Sequence, residues 1–137
     1  MNSNEQWSMN TKATDCPCGS SKVYAECCAR YLDNSEVPET AEVLMRSRYT
    51  AYTLNHEHYL LATWHRSTRP ASLELTDRPQ QKWLGLVVKR FEQTASDSAT
   101  VEFVARYKVS GRAHRLHEIS RFVLEDGRWF YVDGDFV

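Results

Sequence analysis

The stretch VEFVARYKVSGRAHRLHEISRFVLEDGRWFYVDG, residues 101–134, decides the fold. Its first third alternates: Val101, Phe103, Ala105, Tyr107 and Val109 are interleaved with Glu102, Arg106 and Lys108. A period of two is that of a strand with one buried face and one wet face. Asp126-Gly127 is a strong signal for a two-residue hairpin loop, because both residue types accept the positive φ that such a turn needs. Gly111-Arg112 suits a second loop of the same kind. The spacing therefore predicts three successive antiparallel strands, at about 99–110, 113–125 and 128–136. A run from Trp83 to Glu92 predicts another strand before them, with Leu84, Leu86 and Val88 alternating against Val87 and Phe91.

These loops set a testable register. Val109 should pair with His114, Tyr107 with Leu116, Ala105 with Glu118, Phe103 with Ser120 and Val101 with Phe122. Across the second loop, Leu124 should meet Trp129, Phe122 Tyr131, Ser120 Asp133 and Glu118 Asp135. All of these share one face. It carries most of the aromatics and should pack on helices, while Glu102 should sit opposite Arg121 on the other face.

Upstream the period is helical. Thr40 is a candidate N-cap, with Glu42 in the first turn. Ala41, Leu44, Met45, Arg48, Tyr49 and Tyr52 then recur at helical spacing. Asn55 is positioned to cap a second, shorter helix with Leu60, Leu61 and Trp64 on its apolar face. Pro70 and Pro79 punctuate a connector with room for one short helix at 71–75. Helices followed by a meander argue for an α+β fold with the helices on one face of the sheet.

Composition bounds the rest. The chain has 137 residues, 42% apolar and 26% charged, with a formal net charge of −1. That is enough for one soluble domain and a short appendage. The charge gives no argument for nucleic acid or an anionic membrane. No apolar run is long enough to span a bilayer, and the start, MNSNEQWSMNTK, has no secretory pattern. A cytoplasmic location is the resulting expectation. Residues 1–13 read as a flexible tail that docks at most through Trp7, 14–30 as the cysteine segment, 31–39 as a polar linker and 40–137 as the main domain.

All four cysteines lie together: Cys16-Pro17-Cys18, eight residues, then Cys27-Cys28. In a reducing compartment such a cluster points to metal rather than disulfides. Four thiolates close a tetrahedral zinc site with no open position, which makes the ion structural and not catalytic. Pro17 stiffens the first pair and Gly19-Ser20 lets the chain turn after it. Lys22 and Arg30 are near enough in sequence to offset part of the thiolate charge. A disulfide and a redox pair are the alternatives; the spacing C-x-C instead of C-x-x-C weighs against the second. The segment is too short for its own core, so metal should supply its folding free energy.

The run CPCGSSKVYAECC resembles the SEC-C motif, the zinc element named after the C-terminus of the SecA translocation ATPase, through Cys16, Cys18, Gly19, Ser20, Tyr24, Cys27 and Cys28. Cys27 stands where one common version has histidine. The stretches TAEVLMRSRYTAY (40–52), YLLATWH (59–65) and HEISRFVLEDGRWFYVDG (117–134) are similar to the bacterial YchJ-like proteins. That resemblance implies a fold like nuclear transport factor 2 (NTF2), a cone of curved antiparallel sheet packed on helices. It brings no catalytic activity with it.

The core face of the sheet carries carboxylates that need partners or water. Arg46 and Arg48 are the natural counter-ions. In one reading Arg48 and a sheet carboxylate form a buried ion pair that orients the helix. In the other, Arg48, Tyr49, Tyr52, Trp64, Trp83, Tyr107, Glu118, Phe122 and Tyr131 line a pocket, with Glu118 or Asp133 as anchor or general base. His56 and His58 are two apart on a helix and diverge, so they read as solvated surface. Three functions follow as expectations. The first is a protein with one structural zinc whose knuckle docks a protein or ribosomal partner. The second is a carrier or enzyme of isomerase or dehydratase type with a small-molecule ligand in the cone. The third is a zinc-handling protein.

Overall fold

Helix α2 (Ala41–Thr53) organises the molecule. Thr40, in extended backbone, accepts a hydrogen bond from the Val43 amide at 3.1 Å, as the cap reading expects. The helix buries Ala41, Leu44, Met45, Ser47, Arg48, Tyr49, Thr50 and Ala51, more than one stripe, because it is covered on two sides. The computed structural model describes residues 14–75 and 81–137. The expected tail at 1–13, with Trp7, and the Pro79 break lie outside the described residues.

Before α2 come a 3₁₀ turn (Tyr24–Glu26) and a short helix α1 (Ala29–Leu32), which runs across the boundary expected at residue 30. After it comes α3 (Glu57–Ala62). The cap of α3 is His56, whose Nδ1 accepts from the Tyr59 amide at 3.3 Å; Asn55, the expected cap, is instead a left-handed link at φ +55°. His58 is exposed. Tyr59 is buried, its hydroxyl 2.7 Å from Ser47 Oγ on α2.

Four strands follow: β1 (Gln81–Ala95), β2 (Ser98–Val109), β3 (Arg112–Glu125) and β4 (Arg128–Phe136). They form one antiparallel sheet in chain order, the meander expected. The Asp126-Gly127 loop is where the sequence places it, with φ of +54° and +79°. The other loop is Ser110-Gly111, at +52° and +79°, one residue earlier than expected. Moving a loop by one residue moves every partner by two, so faces are kept while partners change. Phe103 therefore faces Glu118, Val101 faces Ser120, and Glu102 faces Ile119 instead of Arg121.

The sheet is bent by bulges. β1 carries register shifts at Trp83/Gly85, Val88/Arg90 and Gln93/Ala95. An extra residue bends a strand and raises its twist, which closes the sheet toward the helices. The first shift leaves Leu84 47% exposed, off the core row expected of it, and the second lets Phe91 pair with Val101. Beyond β4, Tyr131 N donates to Thr63 O at 2.9 Å and His65 N to Tyr131 O at 2.7 Å, so the chain after α3 covers the last strand's edge. The core runs between α2, α3 and the concave face, with Leu44, Leu60, Val101 and Phe122 fully buried. No helix among the described residues is long and apolar enough to cross a membrane.

Candidate metal centre and the cone cavity

The knuckle is folded by backbone bonds that the cysteine spacing permits. Cys16 N donates to Lys22 O at 2.8 Å and Tyr24 N to Thr14 O at 2.9 Å, which closes a small antiparallel turn. Gly19, at φ +80°, makes the sharp corner after Cys18, and a Cβ there would stand 2.9 Å from Leu86 O of β1. Only glycine suits both constraints. The 3₁₀ turn then returns Cys27 and Cys28 toward the first pair.

The ligand atoms of Cys16, Cys18, Cys27 and Cys28 all lie within 4.8 Å of one another, and Sγ of Cys18 is 3.6 Å from Sγ of Cys27. A tetrahedral four-sulfur site with bonds of about 2.3 Å has its sulfurs about 3.8 Å apart, so the donor set fits one metal ion. All four cysteines are free thiols, and their sulfurs converge. Cys16, Cys18 and Cys28 are buried and belong to the same core as Leu44 and Tyr49, while Cys27 is half-buried. The knuckle is thus packed onto the domain.

Most of the groups set around the sulfurs come from α2. Thr50, wholly buried, donates to Cys28 Sγ at 3.3 Å and lies 3.7 Å from Cys16 Sγ. Arg46 Nη1 donates to Cys18 O at 2.7 Å. Ser20 Oγ lies 3.1 Å from Cys27 Sγ. The charge compensation expected from Lys22 and Arg30 is arranged differently: Arg30 pairs with Glu36 at 3.0 Å, and the cation brought to the site is Arg46, itself paired with Glu42 at 3.1 Å. The thiols act on one another. Hydrogen bonds from Cys18 and Cys28 push Cys16 well below the usual thiol range, and the contact with Cys16 pushes Cys18 and Cys28 up. One thiolate in the cluster suppresses the next, and a bound cation removes that competition. Thr50 was missed in the sequence, although Glu42, Arg46 and Thr50 recur every fourth residue on one row of α2.

On the other side of α2 a cavity of about 350 Å³ opens between helix and sheet. Eight of the nine expected pocket residues line it: Arg48, Tyr49, Tyr52, Trp83, Tyr107, Glu118, Phe122 and Tyr131. Met45, Leu75, Gln81, Phe103, Ala105, Leu116, Ser120 and Phe136 complete the wall. Trp64 does not line it; it stands edge-on to Tyr131 and 5.2 Å beneath the Arg48 guanidinium.

Arg48 and Glu118 both face this space, but no ion pair joins Arg48 to any carboxylate among the described residues. Arg48 Nη1 donates to Leu60 O and to Thr63 Oγ1, each at 2.7 Å, and its guanidinium lies 4.6 Å from the Tyr131 ring centre. Burial pulls its pKa below the usual arginine value, opposed by nearby tyrosines and Glu118. Glu118 Oε2 accepts from Ser120 Oγ at 2.7 Å and from the Tyr131 hydroxyl at 3.3 Å. Burial first, and then this carboxylate, push the Tyr131 pKa up. Gly134 passes so close that a Cβ there would stand 2.8 Å from Glu118 Cδ.

Asp133 and Asp135 are not in this cavity. A bulge at Arg121/Phe122 shifts β4 by one residue, which turns both aspartates to the outer face. There Arg121 binds Asp133 at 2.6 Å and Asp135 at 2.7 Å. Gly134 takes the place opposite Ser120 that the unbroken register gives to Asp133. The structure therefore leaves Glu118 as the cavity's acid among the described lining residues.

Known proteins resemble both parts. A family model described as "YchJ, middle NTF2-like domain" matches residues 40–134, and the SEC-C motif matches 15–30. A UPF0225 protein of Methylibium petroleiphilum is 54% identical over 120 residues, 88% of this chain and 87% of that protein. One from Ralstonia nicotianae is 56% identical over 130 residues, 88% of this chain and 90% of that protein. The solution structure of a SEC-C motif containing protein from Rhodopseudomonas palustris superposes with a TM-score of 0.80 at 33% identity, covering 89% of this chain and 98% of that one. The crystal structure of a SEC-C motif containing protein from Psychrobacter arcticus gives 0.75 at 27%, covering 89% and 81%. With two thirds of its length in the NTF2-like match and the motif fused in front, this chain belongs to the YchJ-like family.

Proposed function

We propose that the chain is a zinc protein in which one ion, held by Cys16, Cys18, Cys27 and Cys28, is structural and fastens the knuckle to the NTF2-like domain. The observation that carries this reading is the burial of three of the four sulfurs in the domain's own core, with Thr50 of α2 against two of them. Zinc accepts four thiolates in a closed tetrahedron, and a closed shell leaves no place for water or substrate. A cargo site needs ligands that release the ion readily, and burial of three of the four against a helix opposes that.

The outward side of the knuckle, including Lys22 and Val23, is exposed, and we assign to it the docking of a protein or ribosomal partner. The motif's resemblance to the end of the SecA ATPase supports that assignment. Two measurements test the whole reading. Elemental analysis of protein purified without chelator should give about one zinc per chain. Absence of bound metal overturns the proposal, and zinc that exchanges quickly while the fold is unchanged transfers it to metal handling. Pull-down with the intact protein and with a Cys27→Ser, Cys28→Ser variant should lose the same specific partner from the variant alone.

A further inference from the structure

The cone cavity has a chemistry of its own, independent of the metal. Its volume of about 350 Å³ is at the small end of the range for ligand sites, roughly 300–1,000 Å³. One wall is a set of rings around Trp83, with Tyr49 at 5.5 Å and Tyr107 at 5.2 Å between ring centres. Flat walls of this kind favour flat ligands, because offset and edge contacts between rings add to the burial of area.

Two opposite charges project into this apolar space. Arg48 is 5% exposed and Glu118 9%. The hydrogen bonds of Arg48 among the described residues use Nη1. Those of Glu118 use Oε2. Nε and Nη2 on one side and Oε1 on the other have no hydrogen-bond partner among the described residues, although the guanidinium also lies over the Tyr131 and Trp64 rings. Buried groups of this strength require one, from solvent or from a ligand. The pair sums to zero charge. An ion entering the cavity is attracted by one of these charges and repelled by the other, and it must give up its own hydration in a medium that screens poorly. A neutral molecule with a donor and an acceptor meets no such opposition.

We propose that the cone cavity is a binding site for a small, flat, uncharged ring compound that presents an N–H to Glu118 and a carbonyl oxygen to Arg48, as a cyclic amide or lactam-type heteroaromatic does. Leu116 and the exposed Phe136 lie among the lining residues and frame the remaining wall. The cavity lining and the cysteine cluster share no residue, so this inference stands or falls apart from the zinc assignment.

Three bicyclic probes of similar shape and different charge test it: 2-quinolone, 2-naphthoate and the 2-naphthylmethylammonium ion. Each is titrated into the full chain as purified, with the Trp83 indole N–H followed by heteronuclear NMR. The lactam should shift that signal saturably and bind at least about tenfold tighter than either ion. Glu118→Gln should lower its affinity by about tenfold while Tm stays close to that of the parent. Leu116→Trp, which fills the cavity and leaves both charges in place, should abolish the shift. If no probe moves the Trp83 signal at millimolar concentration, the cavity is not a ligand site and the proposal fails. If an ion binds as well as the lactam, or Glu118→Gln binds unchanged, the assigned recognition is wrong.

Discussion

The knuckle and the cone share helix α2 but are ordered by different forces. In the cone, Phe122, Val101, Leu60 and Leu44 are fully buried, and removal of apolar surface from water is the dominant stabilising term. Between residues 14 and 30 the buried side chains are Cys16, Cys18, Cys28 and Ala29, and the segment's order is set by sulfur, backbone turns and Thr50. The same helix turns Thr50 to the sulfurs, Arg46 to the Cys18 carbonyl, and Arg48 and Tyr49 to the cavity. A fold can therefore carry a region too small for a core of its own if one side of a well-anchored helix packs against a cluster of thiols placed to hold a metal ion.

The comparison breaks most directly at Cys18, which is wholly buried. Cys18→Ser should remove stoichiometric metal and destabilise the knuckle by more than about 4 kcal/mol, the range in which loss of a metal site falls. NMR signals of residues 14–30 should broaden while those of the sheet persist. A single cooperative loss of both regions would show that they are not separable. Phe122→Ala is the converse test. It should cost about 3–5 kcal/mol by denaturant unfolding, the usual loss for a buried phenylalanine, with metal content unchanged in the folded protein.

Smaller effects sharpen the boundary. Gly134→Ala forces its Cβ into the Glu118 carboxylate and should cost about 1–3 kcal/mol, as overpacking does, with the change in chemical shift centred on Ser120 and Tyr131. Thr50→Val keeps the volume and removes the hydroxyl at the sulfurs. It should weaken metal affinity by about 10–100-fold in a chelator competition, with the matching loss of stability confined to the knuckle and the sheet signals unchanged. The smallest effect is electrostatic. Arg66 first, and then His65, hold the Glu125 carboxyl below the usual glutamate range. A depressed carboxyl stabilises above its unfolded pKa, and that contribution fades as pH falls through the folded value. An NMR titration should find Glu125 ionising below an ordinary glutamate, and the depression should shrink as salt is raised, because the pair is exposed.

What the sequence determined by itself is local. The cysteine spacing, the Thr40 cap, the Asp126-Gly127 turn and the period-two strands all depend on neighbours a few residues away, and each appears in the folded chain. The α+β order and the concave aromatic face follow from them. A loop read one residue too late at Gly111 did no harm to that face, since it moved partners by two. Only the tertiary structure decided the rest. The bulge at Arg121/Phe122 is a shift of one, and it turned Asp133 and Asp135 out to Arg121. Arg48 reaches Leu60 and Thr63 instead of a carboxylate, and Thr50 reaches the sulfurs, because contacts between distant segments depend on how elements pack. Side-chain period and turn chemistry carry no record of that packing.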